Sequence, residues 1–201
     1  PPTCVQRSRR AWPRSPRCLR ATRHRRAASD VGDLIYLDTE TTGLDPHQHQ
    51  VWEIAWAVED GPVNVMQVHH SLAGADVVAL RINKYVDRWE QAADDSLEAA
   101  LRRDLRGSTL VCSNPSFDEA FLRARWRETP WHHRKIDIAT YAMPALGLDR
   151  PAGLAQIAER LGVRAPDHTA AGDVLTLRAC YVELAARYAE HGPSIRVGEP
   201  A

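Results

Sequence analysis

The sequence predicts an α/β fold: a mixed five-stranded sheet, begun by an antiparallel meander of three strands and completed by two more, flanked by helices on both faces. Three observations carry this. Three strand-like segments follow one another across short turns between residues 33 and 72, and short connections favour antiparallel neighbours. Helical and strand patterns then alternate to the C-terminus, the signature of helices layered on a sheet. A last long segment, 169–190, carries Val174, Leu177, Tyr181, Leu184 and Tyr188 at alternating spacings of three and four, the stripe of a core-facing helix.

Residues 33–39 form the first predicted strand, with the apolar run Leu34–Leu37 marking it as buried. Residues 51–59 form the second. Trp52, Ile54, Trp56 and Val58 are expected on one face, and Val51, Ala55 and Ala57 on the other. After the turn Glu59-Asp60-Gly61-Pro62, residues 63–72 read as the third strand. His69 and His70, being adjacent, would face opposite sides and are read as ordinary strand residues. Residues 73–94 place Ile82, Tyr85, Val86 and Trp89 at helical spacing without clear caps.

A firmer helix is expected over 96–106, with Asp95 as N-cap, Glu98 three residues on, a Leu97/Leu101/Leu105 stripe and Gly107 as the stop. Residues 109–112 form a fourth strand running into a helix at Asn114-Pro115-Ser116. There Pro suits the first turn, and Ser116 with Glu119 suggests a capping box. A fifth strand over 135–138 and helices over 138–146 and 153–161 complete the body.

Length fits one domain, here residues 31–192, with 193–201 as a tail. Of 201 residues, 44% are hydrophobic, enough for a sizeable core. No apolar run approaches the roughly 18 residues of a membrane span, so no membrane partner is expected. Cys4, Cys18, Cys112 and Cys180 show no Cys-x-x-Cys pairing, which points away from a disulfide framework or zinc site and toward a reducing, cytoplasmic setting. The zero formal charge hides two unlike parts. Residues 1–30 hold nine Arg against one acid, whereas the remainder holds 17 Lys and Arg against 25 Asp and Glu. The Arg- and Pro-rich segment is expected to be a disordered arm. Passenger sequence is the favoured reading, ahead of a phosphate-gripping arm and an Arg-rich targeting segment that Pro13 and Pro16 would interrupt. An acidic body does not steer a polyanion by overall charge, so local basic groups or metal ions must do so.

The chemistry-bearing stretch is Tyr36-Leu37-Asp38-Thr39-Glu40-Thr41-Thr42-Gly43-Leu44. Asp38 and Glu40, two apart in a strand, project to one face, and close like charges repel unless a cation lies between them. A lone Asp-x-Glu is more often a solvated strand end. Further acids at element ends reverse that balance: Asp118 at the start of the helix after strand four, and Asp173 one turn inside the last helix, with His168 five residues before it. Four carboxylates suit two hard divalent cations, Mg²⁺ or Mn²⁺, and an imidazole can take a water proton at neutral pH.

The blocks from Tyr36 to Leu44, Asn114-Pro115-Ser116-Phe117-Asp118 and His168-Thr169-Ala170-Ala171-Gly172-Asp173 resemble, in order and content, the three motifs of the DEDDh 3′–5′ exonucleases. This ribonuclease-H-like family includes the proofreading exonuclease subunit of bacterial replicative DNA polymerase, ribonuclease T and oligoribonuclease. The resemblance spans residues 33 to about 190. It implies metal ligands at Asp38, Glu40, Asp118 and Asp173, His168 as general base, and Thr41 and Leu44 against the 3′-terminal nucleotide. Glu53 matches the family's second-strand Glu, read as structural, and Ser113 stands where many members carry His.

The expected activity is metal-dependent release of nucleoside 5′-monophosphates from the 3′ end of nucleic acid. DNA is favoured, with an RNA-trimming exoribonuclease or oligoribonuclease as the alternative. Outside enzymes, the alternative is a nucleic-acid-binding module that has lost turnover, against which the intact acids and His168 argue. Implied partners are single-stranded or frayed 3′ ends and a polymerase or repair protein. Two lesser candidates get structural readings: Arg123, Arg125 and Arg127 as a solvated helix face rather than a strand-binding stripe, and Asp137 as a local hydrogen-bonding group rather than a fifth ligand.

Overall fold

The computed structural model describes residues 32–93 and 95–191; the predicted arm and tail lie outside them, as do Cys4 and Cys18. Five strands form one sheet in the order β3-β2-β1-β4-β5. β1 (Leu34–Thr41) pairs antiparallel with β2 (Val51–Val58), which pairs antiparallel with β3 (Asn64–Gln67). On its other edge β1 pairs parallel with β4 (Thr109–Cys112), and β4 pairs parallel with β5 (Ile136–Asp137). β1 is thus central and covered on both faces, which is why Leu34 to Leu37 are apolar without alternation.

The two faces bury separate cores. Leu34, Tyr36, Ala55, Ala57 and Val111 pack against α5 (Ile138–Leu146), α6 (Leu154–Leu161) and α7 (Ala170–His191). Val174, Leu177 and Leu184 supply the buried stripe of α7 and Tyr181 and Tyr188 pack at its margin. Ile35, Leu37, Ile54, Trp56, Leu110 and Cys112 face the other way, onto α3 (Asp95–Asp104), Leu105 and α4 (Pro115–Trp126). Cys112 and Cys180 are free and buried.

Several local expectations are corrected. The third strand ends at Gln67, so His69 and His70 are not strand residues. The His70 ring instead meets Tyr85 and Trp89, with Nε2 2.8 Å from the Tyr85 hydroxyl. Val51 joins Ile54 and Trp56 rather than Ala55, because the pairing slips between Glu40 and Thr41; a bulge at that point reverses the alternation. The segment 73–94 forms two short helices, α1 (Val77–Ile82) and α2 (Tyr85–Arg88), with Lys84 left-handed between them at φ 56°. Asp76 caps α1, accepting from the Val78 N–H at 2.7 Å. Ile82 and Val86 are exposed, so the four-residue spacing is no core stripe.

The Ser116/Glu119 capping box does not form. Asn114, left-handed at φ 61°, precedes Pro115 at the first turn of α4, and Glu119 turns outward to pair with Arg123 and Lys135. Arg125 makes a two-pronged pair with Glu98, so Arg123 and Arg125 meet acids rather than forming one open stripe. Asp137 is the predicted local group: it caps α5 by accepting from Ala139 N–H and the Thr140 hydroxyl, and accepts from Asn114 N–H at 3.2 Å. Among the described residues, no helix is long and apolar enough to cross a membrane.

Candidate active site

The site lies where β1 ends, between the first turns of α4 and α7. Alternation along β1 sends Asp38 and Glu40 to the side of Leu34 and Tyr36, toward α7, and sends Thr39 toward α4. Thr39 donates its hydroxyl to Oδ1 of Asp118 at 2.8 Å, joining β1 to α4 beneath the acids. Asp118 is 2% exposed in the first helical turn, where helix N–H groups favour a negative charge.

Asp173 is held from the opposite side. Its Oδ1 accepts the backbone N–H groups of Asp167 at 3.0 Å and His168 at 3.2 Å. The loop before α7 is locked further by Asp167, which accepts from the N–H and hydroxyl of Thr169. Thr169 in turn caps the helix by accepting from Gly172 N–H at 3.0 Å. A Cβ at Gly172 would collide with the Asp167 carboxylate, so the Gly before Asp173 is a packing requirement. His168 sits exposed at the bend of this loop, left-handed at φ 58°, with its own N–H bonded to the Asp173 carboxylate.

The carboxylates act on one another. Burial raises the Asp38 carboxyl well above the usual carboxylate range, and Asp118, Glu40 and Asp173 raise it further. Burial, then Asp173 and Asp118, push Glu40 up to about 8, against the opposing pull of Arg88 and a hydrogen bond from Asn83. Burial lifts Asp118 to about 7, with the Thr39 hydroxyl pulling the other way. Asp173 is raised by burial, while its two backbone N–H partners and His168 counter the shift. All four predicted ligands therefore meet electrostatically. Among the described residues no three His, Cys, Asp or Glu side chains stand in metal-holding geometry. The donor set nevertheless fits hard divalent cations: oxygen ligands alone, desolvated and mutually repelling, whose excess charge a cation would relieve.

The predicted nucleotide contacts flank this group. Thr41 is buried, its hydroxyl donating to the Gly43 carbonyl at 2.6 Å and its own carbonyl accepting from Asn83 Nδ2 at 2.9 Å. Leu44 is 74% exposed just beyond. Gly43 is needed because the His49 ring lies against it, where a Cβ would collide. Glu53, paired across the sheet with Glu40, is buried and ion-paired with Arg88, as its structural reading requires.

Arg88, Asn83 and Lys84 were missed as site residues. Arg88 lies 4.0 Å from Glu40, and Lys84 Nζ donates to the Asp167 carbonyl at 3.0 Å. The sequence offered no clear signal for them: Lys84 is the left-handed cap of the single-turn helix that ends at Arg88, so their four-residue spacing is not a shared helix face.

The profile of the RNase H superfamily matches residues 35–187, most of the chain. The chain is 26% identical over 135 residues to the oligoribonuclease of Chromobacterium violaceum, covering 56% of this chain and 75% of that protein. Among solved structures, S. pombe Pop2p in its Mg²⁺- and Mn²⁺-bound form superposes with a TM-score of 0.63 at 16% identity, over 79% of this chain and 84% of Pop2p. E. coli exonuclease I in complex with a dA16 oligonucleotide superposes with a TM-score of 0.60 at 18% identity, over 78% of this chain. The chain spans 41% of exonuclease I, and at these identities both structures speak to the fold alone. The fold, the profile match and the ordered acidic blocks give one conclusion: the chain belongs to the RNase H superfamily, as a member of its DEDDh type of 3′–5′ exonuclease.

Proposed function

We propose that this chain removes nucleoside 5′-monophosphates one at a time from the 3′ end of short single strands, with oligoribonucleotides the favoured substrate over DNA. What supports the reading is that Asp38 and Glu40 at the end of β1, Asp118 in the first turn of α4, which Thr39 hydrogen-bonds, and Asp173 in the first turn of α7 stand near enough to raise the carboxyl pKa values of Asp38 and Glu40 beyond what burial alone does. The kinship with an oligoribonuclease over three-quarters of that protein supports short RNA as the substrate.

Asp38, Glu40, Asp118 and Asp173 would hold two divalent cations, which when bound lower the pKa of a water and stabilise charge on the departing oxygen. The chain's own groups do the rest. His168, exposed in the loop before α7 and tethered through its N–H to Asp173, takes a proton from the attacking water onto its imidazole. The bond from phosphorus to the 3′-oxygen of the penultimate nucleotide breaks, and the phosphate stays with the released nucleoside. The Thr41–Gly43 backbone borders the terminal sugar, and Leu44 offers an exposed apolar surface to the base.

The test is digestion of matched RNA and DNA oligomers, labelled at the 3′ or the 5′ end, with Mg²⁺, Mn²⁺ or EDTA. The reading expects immediate release of the 3′ label as a mononucleotide, a shortening ladder from the 5′ label, faster turnover of short RNA, and no reaction in EDTA. A fragment pattern showing internal cleavage overturns the exonuclease reading; faster DNA turnover overturns the substrate preference.

A further inference from the structure

Residues 83–88 bridge the end of β1 and the His168 loop, and their two cations each reach a backbone carbonyl of that loop. We propose that Arg88, aided by Lys84, is a positioning residue that fixes the His168 loop in its working conformation. The proposal rests on the reading of His168 as the general base.

Arg88 is itself rigidly held. Its guanidinium pairs with Glu53, whose side chain is 4% exposed on β2, and lies 5.0 Å from the ring centroid of the fully buried Trp52. Its carbonyl accepts from Gln67 Nε2 at 2.7 Å. From that anchor Nη1 donates to the Asn83 carbonyl at 2.8 Å and to the His168 carbonyl at 3.4 Å. Lys84 Nζ donates to the neighbouring carbonyl of Asp167 at 3.0 Å. Consecutive peptides of one loop are thus gripped on both sides. Asp173 holds their N–H groups, and two cations from α2 and its cap hold their carbonyls.

A non-glycine residue at φ 58° persists only where its surroundings determine it, and here those surroundings are charged donors, which make the stronger hydrogen bonds. Releasing the carbonyl side would let the loop relax and would shift the imidazole relative to the acids. Displacements on the ångström scale cost catalysis about a hundredfold where reacting groups must be aligned. Asn83 extends the same brace to the nucleotide side through its bond to the Thr41 carbonyl.

The experiment compares wild type, Arg88→Ala, Arg88→Lys, Lys84→Met, His168→Ala and the Arg88→Ala/His168→Ala double variant on a 3′-labelled short RNA at saturating Mg²⁺. Each variant's melting temperature is followed by circular dichroism. The expected result is a loss of kcat in Arg88→Ala on the order of tenfold or more with KM within about twofold, partly restored by Lys. In the His168→Ala background, removing Arg88 should change the rate by less than about twofold, because residues acting through one another are not additive. A folded Arg88→Ala with wild-type kcat overturns the proposal, as does an equal loss with and without His168. If Arg88→Ala fails to fold, Lys84→Met decides. It removes an exposed tether, and must show the same loss confined to kcat, with no further loss when it is combined with His168→Ala in a second double variant; full activity overturns the proposal. An inactive wild type, or a fully active His168→Ala, instead refutes the reading of the site, a distinct outcome.

Discussion

Thr39 and Asp118, 79 residues apart, are joined by a 2.8 Å hydrogen bond from the hydroxyl to the buried carboxylate. This bond is the direct side-chain link between the strand that carries two acids and the helix that carries the third. It favours the charged form of Asp118 in surroundings that otherwise favour the neutral one.

Replacing Thr39 by Val keeps the shape and removes the donor. The variant should lose about 1 kcal/mol of stability, and its Asp118 should hold its proton to higher pH. The Mg²⁺ concentration for half-maximal rate should therefore rise more at pH 7 than at pH 8.5. A Mg²⁺ titration at the two pH values checks this; equal shifts would mean that the bond is structural only.

Asp38→Ala should abolish hydrolysis and leave the metal-free fold as stable as before or more so, since one of several repelling, desolvated acids is gone. Asp173 needs a gentler substitution because it also receives two backbone N–H groups. Asp173→Asn should abolish hydrolysis with the loop retained, whereas Asp173→Ala should additionally lower the melting temperature. Near-wild-type turnover of Asp38→Ala in Mg²⁺ would remove the metal assignment.

His168→Ala should retain metal binding yet lose rate on the order of a hundredfold or more, as for a lost general base. Its pH–rate profile should lose the limb that reports proton abstraction. Calorimetric Mg²⁺ binding and a pH–rate series measure the two halves, and an unchanged profile would assign the proton to another group.

The metal-free protein should grow less stable as pH rises from about 4.5 toward about 8. Glu40 is raised to about 8 and Asp118 to about 7, with Asp38 and Asp173 also raised. The folded state then binds more protons than the unfolded state across that window, and stability falls as pH climbs through it. Saturating Mg²⁺ at pH 8 should restore it, because a ligand that binds only the folded form stabilises it. Melting curves in EDTA and in Mg²⁺ across this range are the measurement, and a flat EDTA series would contradict the raising of these acids by burial and by one another.

The sequence by itself determined the α/β class, the burial of the first strand and the four acids proposed as ligands. Those depend on signals local in sequence: the unbroken apolar run at Leu34–Leu37, the Asp38/Glu40 parity, and Pro115 and Thr169 opening the helices that carry Asp118 and Asp173. Tertiary structure decided what depends on distant partners. Glu119 reads as half of a capping box, but Lys135 and Arg123 claim its carboxylate. Val51 reads as a neighbour of Ala55 until the bulge opposite Thr41 reverses its face. Lys84 and Arg88 lie in a segment whose caps the sequence does not mark, and they meet the loop before α7 only because it folds back beside them from 80 residues away. Periodicity and capping are properties of neighbouring residues, whereas the choice of partner for a charged side chain is made by whichever elements the folded core brings within reach.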